Sequence, residues 1–216
     1  NLMTDDGEFI IEVEYIGNIL NKIQFERFYL DRIFYYSLIS LKHLFEKHGM
    51  YIHDVEEIVP HGGSIRVVFR KNSHRREPTD SVRIFLGEEE RRLTFLEFKR
   101  FKEDVYKNTQ AFREILAEYK ASGLKVAGYG APARVATICN YGQIGPSLIE
   151  FIVDDSPLKQ NRFSPGTHIP IVPKEHLEEH KPDVLVIFAY EYFNDIKTKT
   201  MGGYRYLMPI PPREMQ

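Results

Sequence analysis

From Gly123 onward the chain alternates short, unbroken apolar runs with helix-like segments: LKVAGYG, ARVATICNY, LIEFIVDD, a Pro/Gly-rich loop, IPIV, KEHLEEH, DVLVIFAY, a final helix and YRYLMPI. Strands that are apolar along their whole length, not at every second residue, are buried on both faces, as in a parallel sheet flanked by helices. The pattern predicts one α/β domain over 123–216. Its sharpest element is Gly128-Tyr129-Gly130-Ala131-Pro132-Ala133, a G-x-G-x-x-A stretch between an apolar strand and a helix-like segment. Such a turn brings backbone N–H groups and the positive end of a helix together where a phosphate can approach without meeting a Cβ. Pro132 suits a first helical turn. Asp154 ends the next strand, at about the separation where a dinucleotide site has a carboxylate for a ribose hydroxyl. Gly128, Gly130, Ala131, Arg134 and Asp154 are therefore candidates for holding a nucleotide or phosphate. The same glycines also serve close packing of strand on helix, and a nicotinamide redox role rests on this motif alone.

The first 122 residues read differently. Gly7 to Leu20 predicts a turn feeding a mostly buried strand, and Ile33 to His48 predicts a helix, with Phe34, Leu38, Leu41 and Phe45 on one face and Gly49 as its stop. Met50 to Ile58 and Ser64 to Arg70 are strand-like, with Pro60-His61-Gly62-Gly63 as the turn of a hairpin. Lys71 to Asp80 is a polar connection, the VRIFL run after it is strand-like, and a long amphipathic helix through Phe98, Phe101, Val105, Phe112, Leu116 and Tyr119 ends at Gly123. The expected division is 1–72, 73–122 as linker and long helix, and 123–216. Two further groups carry polar chemistry. His61, Gly62, Gly63, Ser64 and Arg66 combine open backbone amides with a hydroxyl and a guanidinium, a set that holds a phosphate or sugar and also makes an ordinary turn. Tyr29, Asp31 and Arg32 stand in an aromatic stretch, FERFYLDRIFYYS, that forms either a pocket wall or a core-facing stripe.

Composition narrows the partners. The 216 residues carry 29 Lys plus Arg against 31 Asp plus Glu, a net charge of −2, whereas an electrostatic nucleic-acid binder shows a basic excess. The single cysteine, Cys139, forms no internal disulfide and no Cys-type zinc site, and the histidines show no metal-ligand spacing, so no bound metal is expected. No run approaches the roughly 20 apolar residues that span a bilayer. The expectation is a cytoplasmic protein with a small-molecule partner, no nucleic acid and no membrane. A start at Asn1, running straight into strand-like sequence, reads as a piece of something longer.

Five ordered blocks carry a resemblance across nearly the whole chain: EVEYIGNIL at Glu12 to Leu20, FERFYLDRIFYYSL at Phe25 to Leu38, HGGSIRV at His61 to Val67, GYGAPARVATICNY at Gly128 to Tyr141, and IVDDSPLKQNRFSPGTHIPI at Ile152 to Ile171. With them the chain resembles the C-terminal half of the S-adenosylmethionine-dependent sugar C-methyltransferases, enzymes that methylate a carbon of a nucleotide-linked keto-deoxysugar. The resemblance implies the end of a methyltransferase domain, a long helix and a Rossmann-like C-terminal domain, with the nucleotide-sugar as partner. The family's zinc segment and the cofactor-binding half of its central domain have no counterpart here. S-adenosylmethionine is thus expected in a full-length parent, completed by an N-terminal half or companion chain, and not on this chain alone.

The family's active-site motif reads Tyr-His-Glu-His, and the matching residues here are Tyr29-Leu30-Asp31-Arg32. Carbon methylation needs a carbon nucleophile, which a keto-sugar supplies once a base removes the proton beside the carbonyl. Arg32 stays protonated and is not that base, although its charge suits an enolate or phosphate oxygen. Asp31 or Tyr29 would have to take over, with ordinary pKa values of about 3.9 and about 10. The loss of both histidines also admits a non-catalytic binding or scaffolding module.

Overall fold

The structure is a computed structural model that describes residues 3–29, 32–59 and 63–216. It divides into two compact units: Asn1–Gln24 with Asp31–Lys102, and Phe25–Leu30 with Glu103–Gln216.

The first unit is an antiparallel sheet in the order β1 (Glu8–Glu14), β3 (Ser64–Lys71), β2 (Met50–Ile58). Strand β3 alternates strictly: Ile65, Val67 and Phe69 are fully buried, while Arg66 and Arg70 point to the other face. A short helix α1 (Ile16–Asn21) follows β1, and the buried face packs on helices α2 (Leu38–Glu46) and α3 (Asp80–Arg92), joining Leu38, Leu41, Ile52, Val55 and Val82 in one core. Phe45 stacks on Phe69 with ring centroids 3.9 Å apart. Three elements differ from the sequence reading. Strand β1 is largely exposed because it is an edge strand whose Glu8 and Glu12 stand on the outer face, opposite Arg70 and Arg66. Helix α2 begins at Leu38, not near Ile33, because Ser37 and Ser40 form a reciprocal capping box. The VRIFL run is helical, not a strand: Val82, Phe85, Leu86 and Glu89 recur at three- and four-residue spacing, which turns one face toward the core.

The second unit is a Rossmann-like α/β fold. Its seven-stranded sheet has the order β10 (Arg213–Met215), β9 (Arg205–Met208), β8 (Val184–Ile187), β4 (Val126–Tyr129), β5 (Ile152–Val153), β7 (Pro170–Val172), β6 (Arg162–Phe163). The pairs from β9 across to β7 are parallel, and β10 and β6 close the edges antiparallel. Strands β4 and β8 are buried at every position, as their unbroken apolar sequence requires. Helix α5 (Arg134–Tyr141) follows the glycine turn. The long helix α4 (Phe95–Ala121) buries Val105, Thr109, Phe112 and Leu116. Buried Cys139 on α5 has its thiol pushed up to about 12 by desolvation, which keeps it an unreactive core residue. Among the described residues no helix is long and apolar enough to cross a membrane, and no group of three or more His, Cys, Asp or Glu is placed to hold a metal ion.

Candidate functional site

Three of the five sequence blocks meet in the first unit. Where β1 ends, the Tyr15 N–H donates to the Gly63 carbonyl at 3.3 Å, and the Ile16 N–H donates to the Tyr36 carbonyl at 3.0 Å. These bonds tie the end of β1, the segment after Arg32 and the start of β3 together around a cavity of about 330 Å³ lined by Glu12, Val13, Glu14, Arg32, Phe34, Tyr36 and Ser64. Register explains the wall: Glu14 lies directly across from Ser64. Because side chains alternate, both project from the same face as Glu12 and Arg66, two residues further along. The Arg32 guanidinium forms an ion pair with the Glu14 carboxylate, whose side chain is only 6% exposed.

Arg32 and Ser64 are thus brought together, and Arg66 is the next residue along that face. There Arg66 donates to Glu12 at 2.7 Å and pairs with Glu56, so its charge is held by surface carboxylates. Tyr29 is counted with the second unit, half-buried, its N–H donating to the Arg27 carbonyl at 3.1 Å. Asp31, His61 and Gly62 lie outside the described residues. Gly63 has a φ of +127°, and a Cβ there would fall 2.4 Å from Asn18 Nδ2, which already donates to Glu57 at 2.8 Å. Gly63→Ala is accordingly expected to cost about 2 kcal/mol from backbone strain and steric conflict combined, read as a lower urea midpoint. A midpoint equal to wild type would show that the Asn18 contact yields freely.

The second unit holds the glycine-turn candidates. The Ala131 N–H donates to Asp154 Oδ2 at 2.6 Å, and the same carboxylate accepts from the Ser156 N–H at 2.9 Å and Lys159 Nζ at 3.2 Å. Asp154 therefore closes the loop from inside the protein, at the amide that would otherwise face an incoming phosphate. Gly130 has a φ of +83°, and a Cβ there would fall 2.5 Å from that of Ala189. At Gly128 a Cβ would crowd Ile152 at 2.9 Å and the Phe188 ring at 3.0 Å, so this glycine serves strand packing. Beside the turn lies a recess of about 210 Å³, walled by Ala131, Pro132, Ala136, Phe163 and Pro165 together with Lys159 and Arg162.

Arg134 enters a partly buried network instead. It pairs with Glu191 at 2.8 Å and lies 4.4 Å from the centroid of the Tyr190 ring. The Tyr190 hydroxyl donates to Glu26 at 2.6 Å, and Arg27 pairs with Glu191 at 3.3 Å. Burial raises the Glu26 carboxyl above the ordinary range and raises the Tyr190 hydroxyl as well. Glu14, Glu26, Tyr190 and Glu191 were not candidates from the sequence, whereas Tyr36 belongs to the aromatic stretch read there as a pocket wall or a core-facing stripe. The one sequence signal for Glu14 is the E-V-E alternation before Tyr15, which acquires meaning only with the register.

Residues 59–211 match the model of the C-methyltransferase C-terminal domain. Over 97% of this chain, the sequence is 33% identical to the C-methyltransferase NovU of Streptomyces niveus. The alignment covers 51% of that protein, so the chain spans about half the length of the curated relative it matches. With the matched region taking in β3, α3, α4 and nearly all of the Rossmann-like unit, the chain belongs to the C-methyltransferase C-terminal domain family.

Proposed function

We propose that this chain is the C-terminal, substrate-binding portion of a cytoplasmic S-adenosylmethionine-dependent C-methyltransferase acting on a nucleotide-linked keto-deoxysugar. The observation that carries the reading is the convergence of Glu14, Arg32, Tyr36 and Ser64, drawn from three separated blocks, on one cavity of mixed polar and apolar lining. In this reading the other partner is an N-terminal half that carries the methyl donor, and neither nucleic acid nor membrane takes part.

The glycine turn does not fit a nucleotide cofactor. Its Ala131 amide is engaged by Asp154, and its Gly130 is packed against Ala189. No step is therefore assigned to a cofactor on this chain. S-adenosylmethionine, bound elsewhere in the whole protein, supplies a sulfonium methyl group for transfer to carbon. This chain's residues prepare the acceptor: in this reading the Ser64 hydroxyl on the cavity wall recognises a sugar hydroxyl, and Arg32 supplies a permanent positive charge for an oxygen that becomes anionic. The recess with Lys159 and Arg162 combines an apolar wall with two cations, a set suited to the base and phosphates of the nucleotide.

Calorimetric titration of the full-length protein with dTDP and a dTDP-linked 4-keto-6-deoxyglucose tests the reading. Binding in the micromolar to millimolar range usual for enzyme substrates is expected, and the absence of heat with either compound would remove the substrate role. A second reading, a non-catalytic binding module, is favoured by Arg32 standing where the family motif has a histidine. Sugar binding without methyl transfer in a complete assay would select it.

A further inference from the structure

Removal of the proton beside the keto group needs a base, and the Tyr29–Arg32 stretch has no histidine to provide one. We infer that Glu14 is that base, a step that rests on the keto-sugar reading above.

Three carboxylates of β1 share a face, and they differ. Glu8 and Glu12 are 40% and 47% exposed and pair with Arg70 and Arg66, whereas Glu14, which shares the cavity wall with Glu12, is only 6% exposed. Its partner Arg32 is 29% exposed, and an ion pair that is open to water on one side contributes little net stability. The burial of Glu14 is therefore poorly explained as a fold-holding device. As a base its features fit together. The backbone is fixed by the strand register opposite Ser64 and by the Tyr15–Gly63 and Ile16–Tyr36 hydrogen bonds, so the carboxylate is carried on rigid structure. Carboxylates perform this chemistry when a donor stands ready for the oxygen that becomes negative.

In the step, a Glu14 carboxylate oxygen takes the proton. The C–H bond breaks, an O–H bond forms on Glu14, and the C–H electron pair moves through the carbon skeleton to the keto oxygen as an enolate. The enolate charge is met by Arg32, whose guanidinium stays positively charged at every working pH. Run backwards in D2O, with the Glu14 proton exchanged for a deuteron, the same step places deuterium on carbon.

The test is that exchange. The full-length protein is incubated with dTDP-linked 4-keto-6-deoxyglucose in D2O without methyl donor, and loss of the proton signal beside the carbonyl is followed by NMR. Wild type is expected to exchange, and Glu14→Gln to slow exchange by about 10²–10⁴-fold with dTDP affinity unchanged. Glu14→Ala should regain part of the rate when acetate is added, a rescue that a purely structural role would not show. Arg32→Gln separates the ion pair from the carboxylate, and acetate should not rescue it. Exchange at the wild-type rate in Glu14→Gln, or its loss in Asp31→Asn alone, would overturn the assignment and leave the substrate reading intact. Wild type that binds the sugar without exchanging it would do the same, while failure of wild type to bind dTDP would remove both.

Discussion

Replacing Glu89 with alanine is expected to destabilise the three-stranded unit by about 3–4 kcal/mol, the largest stability loss we expect from a single charged residue there. Glu89 lies on α3, is 1% exposed, and accepts the Leu38 N–H at 2.6 Å and the Ile39 N–H at 2.8 Å. These are the first amides of α2, which have no partner within their own helix. The carboxylate thus answers two orphan donors and the positive end of the helix together, while Ser37 caps the Ser40 amide. Alanine leaves the buried Leu38 amide and the partly buried Ile39 amide without their acceptor, at about 1–3 kcal/mol each. Against a total of roughly 5–15 kcal/mol for a domain, that is a large share. Calorimetry should show the melting point of this unit lowered by about 15–25 °C. Glu89→Gln keeps one carbonyl acceptor and should lose only about 1 kcal/mol. A melting point for Glu89→Ala within a few degrees of wild type would mean that water reaches the α2 amides.

The pairing of Glu89 with α2 also shows where sequence reading runs out. The alternation of apolar runs after Gly123 needed no long-range information, since a strand buried on both faces declares itself residue by residue, and β4 and β8 are buried throughout. VRIFL was ambiguous because five apolar-rich residues satisfy a strand and a helix equally, and the buried Glu89 further along decides between them. Ile33 and Phe34 continue the helical spacing of α2 backwards, yet they are 80% and 70% exposed, because the Ser37 cap sets the start. In the candidate site, Arg32 and Ser64 were visible as polar residues in unusual blocks. Glu14 was not, because its role depends on lying opposite Ser64 across two strands. Asp154 illustrates the opposite problem. Its distance along the chain from the glycine turn suits a ribose partner, and the same distance lets it accept the Ala131 amide.

Arg134 offers the second large effect. Arg134→Ala is expected to cost about 3 kcal/mol at neutral pH, the lower end for breaking a buried ion pair, because Glu191 is 37% exposed and water partly replaces the lost cation. Glu26, 1% exposed, has no such access. Its carboxyl is already raised by burial, with the positive charges of Arg134 and Arg27 among the groups opposing that rise. Removing Arg134 raises it further. The native state then binds the Glu26 proton more tightly than the unfolded chain does, so stability falls as pH rises. The contribution is fully present below the ordinary glutamate pKa of about 4.3 and is lost as pH climbs through the raised native value. The penalty of Arg134→Ala should therefore be smaller at pH 5 than at pH 8. Adding Glu26→Gln, which keeps an acceptor for the Tyr190 hydroxyl and carries no charge, should flatten that dependence. Urea denaturation of the single and double variants at both pH values measures it. A penalty independent of pH, or unaffected by Glu26→Gln, would show that Arg134 answers to Glu191 alone and that Glu26 is held by Tyr190 and Arg27 without it.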